Sequence, residues 1–266
     1  VHPYQWPTIG FMEDLNAASE QDYIDFYKTY YVPNNAVLVI AGDVKAADMR
    51  KLVEKYFAAI PRGKDIVRPT AVEPQLKGEV RDVVHDQIQL PAVVQAYRIP
   101  AYGTADFYAV DMLNRLLSNG NSSRLNVELK DRAQKALYVG AFSFPFEHPG
   151  LAIAFAIANM GVAAEELEKA MDAEFAKVRE GMVPQPELDK LKAQLETEFV
   201  RDNSRVAGVA SNLATAHTFL GGAQMASREL ERYLSVTPED LQRVAKEYFS
   251  PDARVVLHYL PKNQKP

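Results

Sequence analysis

The chain has 266 residues, of which 47% are hydrophobic and 24% charged, a composition typical of a folded globular protein with one or two cores. Its 35 acidic residues outnumber its 30 Lys and Arg residues, and no basic block could neutralise a run of phosphates, so we expect no nucleic-acid partner. The longest apolar run, residues 151–158, is too short for a membrane-spanning helix, and the lack of Cys excludes disulfides, thiolate metal sites and cysteine nucleophiles.

The start of the chain has no signal-peptide pattern. Residues 1–6 lack a charged segment followed by an apolar one. A signal peptide further upstream would direct the protein to the periplasm or the cell exterior, and without that segment the sequence leaves the compartment open.

The first quarter of the chain predicts a helix–strand–helix unit. Ser19 and Asp22 form a capping-box pattern at the start of a helix over residues 19–31. Residues 36–40 are apolar and β-branched, which predicts a strand, and an amphipathic helix follows over residues 46–60.

From about residue 80 onward, strands precede and follow a block of helices. We predict strands at 80–84, 92–99, 137–144, 151–158 and 254–260, and helices at 106–117 with Thr104 as N-cap, 122–132, 163–180, 186–202, 206–220, 227–234 and from Thr237. This order predicts an α+β fold in which an antiparallel or mixed sheet of four or more strands is covered by helices on one face.

Two segments of the chain match each other at an offset of 218 residues, from Ser19 to Thr237. Residues 19–37 align without a gap on residues 237–255. The identical pairs are Asp22/Asp240, Lys28/Lys246, Tyr30/Tyr248, Pro33/Pro251 and Val37/Val255. Both segments run from an N-cap through a helix with an aromatic end and a Pro turn to a β-branched stretch.

Such a repeat predicts a duplicated module whose first copy is incomplete in this chain, with chance similarity between two capped helices as the alternative. On this interpretation residues 1–66 are the C-terminal part of a first module. Residues 67–79, rich in Pro and charge, are a linker, and residues 80–262 are the second module.

The five histidines do not form a metal-binding motif. They lie at positions 2, 85, 148, 217 and 258, and no pair has the spacing H-x-x-x-H, H-E-x-x-H or H-x-x-E-H. We therefore predict no metal ligands and no catalytic residues in this chain.

A basic helix end runs directly into a strand between residues 129 and 141. Lys130 and Tyr138 would then place a cationic donor and a phenol near the same sheet edge, where both can bind a peptide carbonyl. In the alternative interpretation, Lys130 and Arg132 only complement the negative end of the helix dipole.

Four segments, in this order, resemble signatures of the pitrilysin/insulinase family of zinc metallopeptidases: residues 2–10 (His-Pro-Tyr-Gln-Trp-Pro-Thr-Ile-Gly), 30–43, 117–125 and 237–252. The resemblance implies homologous peptidase-like α+β modules that pair and close on a peptide, with residues 1–66 ending the first module and residues 80–262 forming the second, non-zinc one. It also implies a zinc held in the first module by an inverted H-x-x-E-H motif and a distant Glu, with the motif's Glu as the base. None of these ligands lies in this chain, so the resemblance places the zinc of the parent protein outside it.

The same resemblance implies that the second module contributes an Arg and a Tyr that clamp the substrate main chain. Tyr138 falls at the Tyr position, whereas Lys130 stands at the Arg position and cannot make a planar bidentate contact.

The function implied is that of a fragment of a zinc metalloendopeptidase, which hydrolyses peptides enclosed between two homologous halves. This chain would supply the substrate-binding, non-zinc half and would be inactive alone. The alternative is a non-catalytic subunit or peptide-binding scaffold of the same fold that pairs with an active partner. The expected partners are a peptide or unfolded polypeptide and an upstream zinc-bearing module or homologous subunit.

Overall fold

The computed structural model describes residues 1–70 and 72–262 in two compact units. One unit comprises Val1–Pro74 and Val200–Ser227, and the other Gln75–Phe199 and Arg228–Pro266. The helices are α1 (Met12–Ala17), α2 (Glu20–Tyr30), α3 (Ala46–Phe57), α4 (Ala105–Ser118), α5 (Ala164–Glu180), α6 (Gln185–Asn203), α7 (Val206–Phe219), α8 (Glu229–Leu234) and α9 (Pro238–Tyr248). Short 3₁₀ turns lie at Pro33–Asn35 and Ala223–Ser227, and a π-helical segment at Asn126–Arg132. The strands are β1 (Val80–Asp86), β2 (Ala92–Ile99), β3 (Ala136–Phe144), β4 (Gly150–Ala158) and β5 (Arg254–Pro261).

The two repeat segments have the same local structure at their helix starts. The Ser19 hydroxyl accepts a hydrogen bond from the backbone N–H of Asp22, whose carboxylate accepts one from Ser19 N at 2.8 Å. Thr237 and Asp240 make the same reciprocal pair at 3.1 Å in both directions. These bonds confirm the predicted capping box at Ser19. Each cap stabilises its helix because it satisfies N–H groups that the first helical turn leaves without partners.

The environments of these two helices differ. In α9, Leu241, Val244 and Ala245 are buried in the core, whereas among the described residues α2 has no buried side chain. The prediction of a strand at residues 36–40 is wrong: this segment forms no strand, although its repeat counterpart is β5. A strand needs a hydrogen-bonded neighbour, and none of the described residues pairs with 36–40, while β5 lies between β1 and β2.

The second unit is built on a five-stranded sheet in the order β1-β5-β2-β4-β3. β1 runs parallel to β5 and the other pairs are antiparallel, so the sheet is mixed, and the predicted α+β class is confirmed. Helices α4, α5 and α9 pack against this sheet and against each other. Their shared core includes Tyr97, whose ring centroid lies 4.9 Å from that of Phe249 and 5.5 Å from that of Phe175.

Most element boundaries in this unit follow the sequence pattern. Thr104 caps α4 as predicted, accepting a hydrogen bond from Phe107 N at 3.3 Å. The segment predicted as an α-helix over residues 122–132 is instead π-helical over Asn126–Arg132, and its end is marked by the bond from Ala133 N to Glu128 O, five residues back. The wider turn places Lys130 and Arg132 immediately before the turn into β3.

Candidate functional site

The two faces of the five-stranded sheet differ in what covers them. Side chains alternate between the faces, and those on one face are buried against the helices, as Gln95 and Tyr97 of β2 are. Ser143 of β3 and Arg254 of β5 lie on this covered face too, bonding Asn114 of α4 and Asp172 of α5. The opposite side of the sheet is called the outer face below.

The outer face is apolar over most of its width. Its apolar residues are Tyr138, Phe142 and Phe144 of β3; Leu151, Ile153, Phe155 and Ile157 of β4; Ala92, Val94 and Ala96 of β2; and Val255, Leu257 and Tyr259 of β5. The uncovered face of a mixed or antiparallel sheet is usually polar. A contiguous apolar patch of this kind is typical of an interaction surface.

Four aromatic side chains form a continuous row on the outer face. The ring centroids of Tyr138 and Phe155 are 5.6 Å apart, those of Phe155 and Phe142 are 6.2 Å apart, and those of Phe142 and Phe144 are 5.2 Å apart. Gly140, in the middle of β3, leaves room for the Phe155 ring. A Cβ atom at Gly140 would lie 2.5 Å from Phe155 Cε1. Tyr138, Phe155, Phe142 and Phe144 are called the aromatic row below.

The position of Tyr138 depends on the turn that precedes β3. Gln134, with a φ of 52°, takes the left-handed conformation that ends the π-helical segment. The register of β3 against β4 then shifts between Ala136 and Tyr138, and Tyr138 pairs with Ile157 on the outer face. Its side chain is 55% exposed, so the phenol is available to a ligand.

Lys130 lies on the element just before β3, and the π-helical segment that carries it packs against that strand. The side chain is exposed, and within residues 1–70 and 72–262 its ammonium group makes no hydrogen bond or ion pair. Arg132 is instead paired with Glu128 at 2.5 Å. The structure thus places the two predicted substrate-binding residues on consecutive elements at the β3 edge of the sheet.

The edge of β3 is closed at one point by a side chain. Ser118, at the end of α4, donates to Ala141 O at 2.8 Å and accepts from Ala141 N at 2.7 Å. Both backbone groups of Ala141 are thereby satisfied, which protects an edge strand from pairing with another chain.

A buried ionic network on the covered face fixes the sheet to α5. Arg254 donates to Glu168 and Asp172 of α5 at 3.1 Å and to Glu79 at 2.7 Å, and His258 lies 2.7 Å from Glu168. Burial alone would raise the pKa of Glu168, but hydrogen bonds from Arg81 and His258 and their charges outweigh it, so the pKa lies below its ordinary value. The network fixes the position of β5, and with it that of Tyr259, whose side chain lies on the outer face.

Prediction from the sequence missed the aromatic row, although a signal for it exists. In residues 151–158, Ala alternates with larger apolar residues. The Ala side chains at 152, 154, 156 and 158 are fully buried on the covered face, where small residues let helices approach closely, and the large ones stand on the outer face. The sequence alone does not show whether the Ala residues or the larger apolar residues face the helices.

In residues 1–70 and 72–262, no group of three or more His, Asp or Glu side chains is arranged to hold a metal ion. Over the same residues, every helix is too short or too polar to cross a bilayer.

The second unit is thus a mixed sheet with helices on one face and an apolar face opposite them. The chain belongs to peptidase family M16: the family profile described as "Peptidase M16 inactive domain" matches residues 17–195.

Relatives of known sequence and structure agree with this assignment. The chain is 33% identical over 254 residues to the zinc protease PqqE of Helicobacter pylori, covering 93% of this chain and 56% of that protein. A crystal structure of a protease from Helicobacter pylori superposes with a TM-score of 0.89 at 30% identity, covering 98% of this chain and 63% of that one.

A peptidase M16 inactive domain from Pseudomonas fluorescens shares the fold, with a TM-score of 0.86 at 18% identity over 100% of this chain and 63% of that one. The chain spans about half the length of the curated relatives it matches. It is thus similar to the non-catalytic part of zinc proteases.

Proposed function

We propose that this chain supplies the substrate-binding, non-zinc half of a zinc metalloendopeptidase that holds a peptide between two homologous halves. The observation that carries the proposal is the apolar outer face with the exposed phenol of Tyr138 at its β3 side. Zinc would supply the activated water for hydrolysis from a site outside this chain. The described residues offer no ligand set for that zinc, so the contribution of this chain is to bind and orient the peptide.

In this proposal Tyr138 donates its hydroxyl hydrogen to a main-chain carbonyl of the peptide. Contact with the Phe155 ring restricts the tyrosine side chain before the peptide arrives, so less conformational entropy is lost on binding. Lys130 adds a second donor to the peptide main chain from the π-helical segment. The flexible ammonium group of Lys130 attracts a carbonyl oxygen through its charge. It cannot make the planar bidentate contact by which a guanidinium group would also orient the peptide.

The proposal is tested in the parent protein that carries the zinc-bearing half. Tyr138→Phe should lower kcat/KM for an internally quenched peptide by about 3- to 10-fold, the usual net effect of one lost hydrogen bond. Lys130→Met should lower it to a similar degree. Tyr56→Phe, which removes a hydroxyl from a tyrosine that is 63% exposed in the other unit, is the matched control and should leave kcat/KM unchanged.

Zinc content should be the same in all these variants, because none of the changed residues is proposed as a ligand. Unchanged kcat/KM in both Tyr138→Phe and Lys130→Met would refute the substrate-binding role. If hydrolysis appears only when the protein is mixed with a homologous zinc-bearing protein, the non-catalytic subunit alternative is supported instead.

A further inference from the structure

A concavity of about 510 Å³ lies in the outer face, and Ile157, the cross-strand partner of Tyr138, is part of its lining. Its floor is Ala92 of β2, and the larger side chains of Ile157 on β4 and Tyr259 on β5 stand on either side of it. Phe155 and Leu90 also contribute to its lining. The depression exists because a small residue lies between two large ones in the same cross-strand row.

That row begins at Tyr138. The register pairs Tyr138 with Ile157, Ile157 with Ala92, and Ala92 with Tyr259, so the four residues follow one another across the sheet. Ala92 is two strands away from Tyr138, a separation of about 10 Å at the usual spacing between strands. An extended peptide advances about 3.3 Å per residue, so this distance corresponds to about three peptide residues.

The chemistry of the lining selects against charge. The residues around the concavity are apolar apart from Gln89 and the hydroxyl of Tyr259, and none of them is charged. A charged side chain placed there would lose hydration without gaining an ionic partner. A bulky apolar side chain would instead bury its surface against Ile157, Phe155 and Tyr259.

We propose that this concavity is a specificity subsite, which takes a bulky, uncharged side chain of the peptide about three residues from the one whose carbonyl Tyr138 contacts. The inference deepens the proposed function and rests on it. Its occupant is a substrate side chain because the concavity is continuous, along one cross-strand row, with the residue proposed to bind the substrate main chain.

The test uses the parent protein and a set of peptides that differ at one position only, scanned over three residues on each side of the scissile bond, with Ala, Phe or Glu at that position. At one position the wild-type protein should prefer Phe over Ala in kcat/KM by about tenfold, the usual gain from one filled apolar pocket. Glu should be the poorest of the three. The Kd values of the same three peptides, carrying a fluorescent label, are measured by fluorescence anisotropy and compared in the same way. A protein without hydrolytic activity therefore still gives a result.

Two variants change the concavity itself. Ala92→Leu fills it and should bring the ratio of Phe to Ala close to one, and Ala92→Lys should make Glu the preferred residue. Ala96→Leu is the matched control, since Ala96 lies on the same strand and the same face but outside the concavity, and it should keep the wild-type ratio. Circular dichroism verifies that each variant is folded.

Failure of this inference can be told apart from failure of the proposed function. Tyr138→Phe should weaken all peptides equally without changing the ratio, whereas the Ala92 variants should change the ratio. A wild-type protein with no preference at any position, or the same preference in Ala92→Leu as in Ala96→Leu, would overturn the subsite. Concentration-dependent self-association that Ala92→Lys abolishes would also overturn the subsite, because a second copy of the chain would then cover the concavity.

Discussion

The ring of Phe155 on β4 lies over Gly140 on β3, and it can do so only because Gly140 has no side chain. A Cβ at Gly140 would lie 2.5 Å from Phe155 Cε1, far inside van der Waals contact. Phe155 in turn contacts Tyr138 and Phe142, so the whole aromatic row depends on this glycine. The relation explains why a glycine is found in the middle of a strand, where it is otherwise unfavourable.

Gly140→Ala should destabilise the second unit by about 1–3 kcal/mol, the usual cost of forcing extra volume into a packed site. In a Phe155→Ala background the same change should be neutral or slightly stabilising, because the clash is gone and alanine restricts the unfolded chain more than glycine does. Urea denaturation followed by circular dichroism gives the four free energies of this double-mutant cycle. An equal cost in both backgrounds would show that Phe155 does not occupy the space over Gly140.

Arg254 should be far more important to stability than an exposed arginine with as many partners. Arg254→Met removes the buried cation that pairs with Glu79, Glu168 and Asp172 and should cost about 3–5 kcal/mol. Arg243→Met, which breaks exposed ion pairs with Asp106 and Asp240, should cost at most about 1 kcal/mol. Hydrogen exchange of the amides in β2 and β4 measures the effect on this unit alone. Equal effects of the two substitutions would contradict the account of the network.

The second unit should lose stability in acid. Burial opposes the charge of Glu168 and Glu79, but hydrogen bonds and charge from Arg81, with His258 at Glu168 and Arg254 at Glu79, lower the pKa of both carboxyls below the ordinary value. A carboxyl whose pKa is lower in the folded state binds fewer protons there than in the unfolded chain. Its contribution is therefore fully present above the unfolded pKa of about 4.3 and is lost as the pH falls through the lower folded value.

The midpoint of urea denaturation should accordingly decrease as the pH is lowered from about 5 to about 3. Glu168→Gln removes one of these titrating carboxyls, so it should weaken this dependence while lowering stability at neutral pH. The same dependence in the wild-type and Glu168→Gln proteins would mean that Glu168 takes no part in it.

Because the family resemblance places the zinc site of the parent protein outside this chain, the chain by itself should bind no stoichiometric zinc and cleave no peptide. Elemental analysis after exposure to zinc and removal of excess metal measures this directly. The parent protein, treated in the same way, should retain zinc. Metal close to one equivalent on the chain alone would show that the site does not lie where the family resemblance places it.

The local elements of the fold could be predicted from the sequence. Capping boxes, Pro turns and hydrophobic periodicity act over a few residues, so they gave the helices that start after Ser19, Thr104 and Thr237 and the strands at 92–99 and 151–158. The resemblance of four segments also gave the family, because together and in this order they are specific although each one alone is weak.

The error at residues 36–40 shows where such reasoning ends. Their composition is that of a strand, and the repeat aligns them with β5, yet a strand exists only when neighbours pair with it. The helix α2 shows the same limit, since its capping box forms from its own residues whereas burial like that of α9 needs a core around it.

By itself, the sequence determined most of the helical and extended segments and the family, and it contains no H-x-x-E-H motif. Only the tertiary structure decided that Tyr138, Phe155 and Phe142 meet in one row, that Ala92 is the floor of a concavity, and that Arg254 is buried among acids. The physical reason is that periodicity fixes which side chains share a face, but the strand order and the position of the helices fix what that face meets.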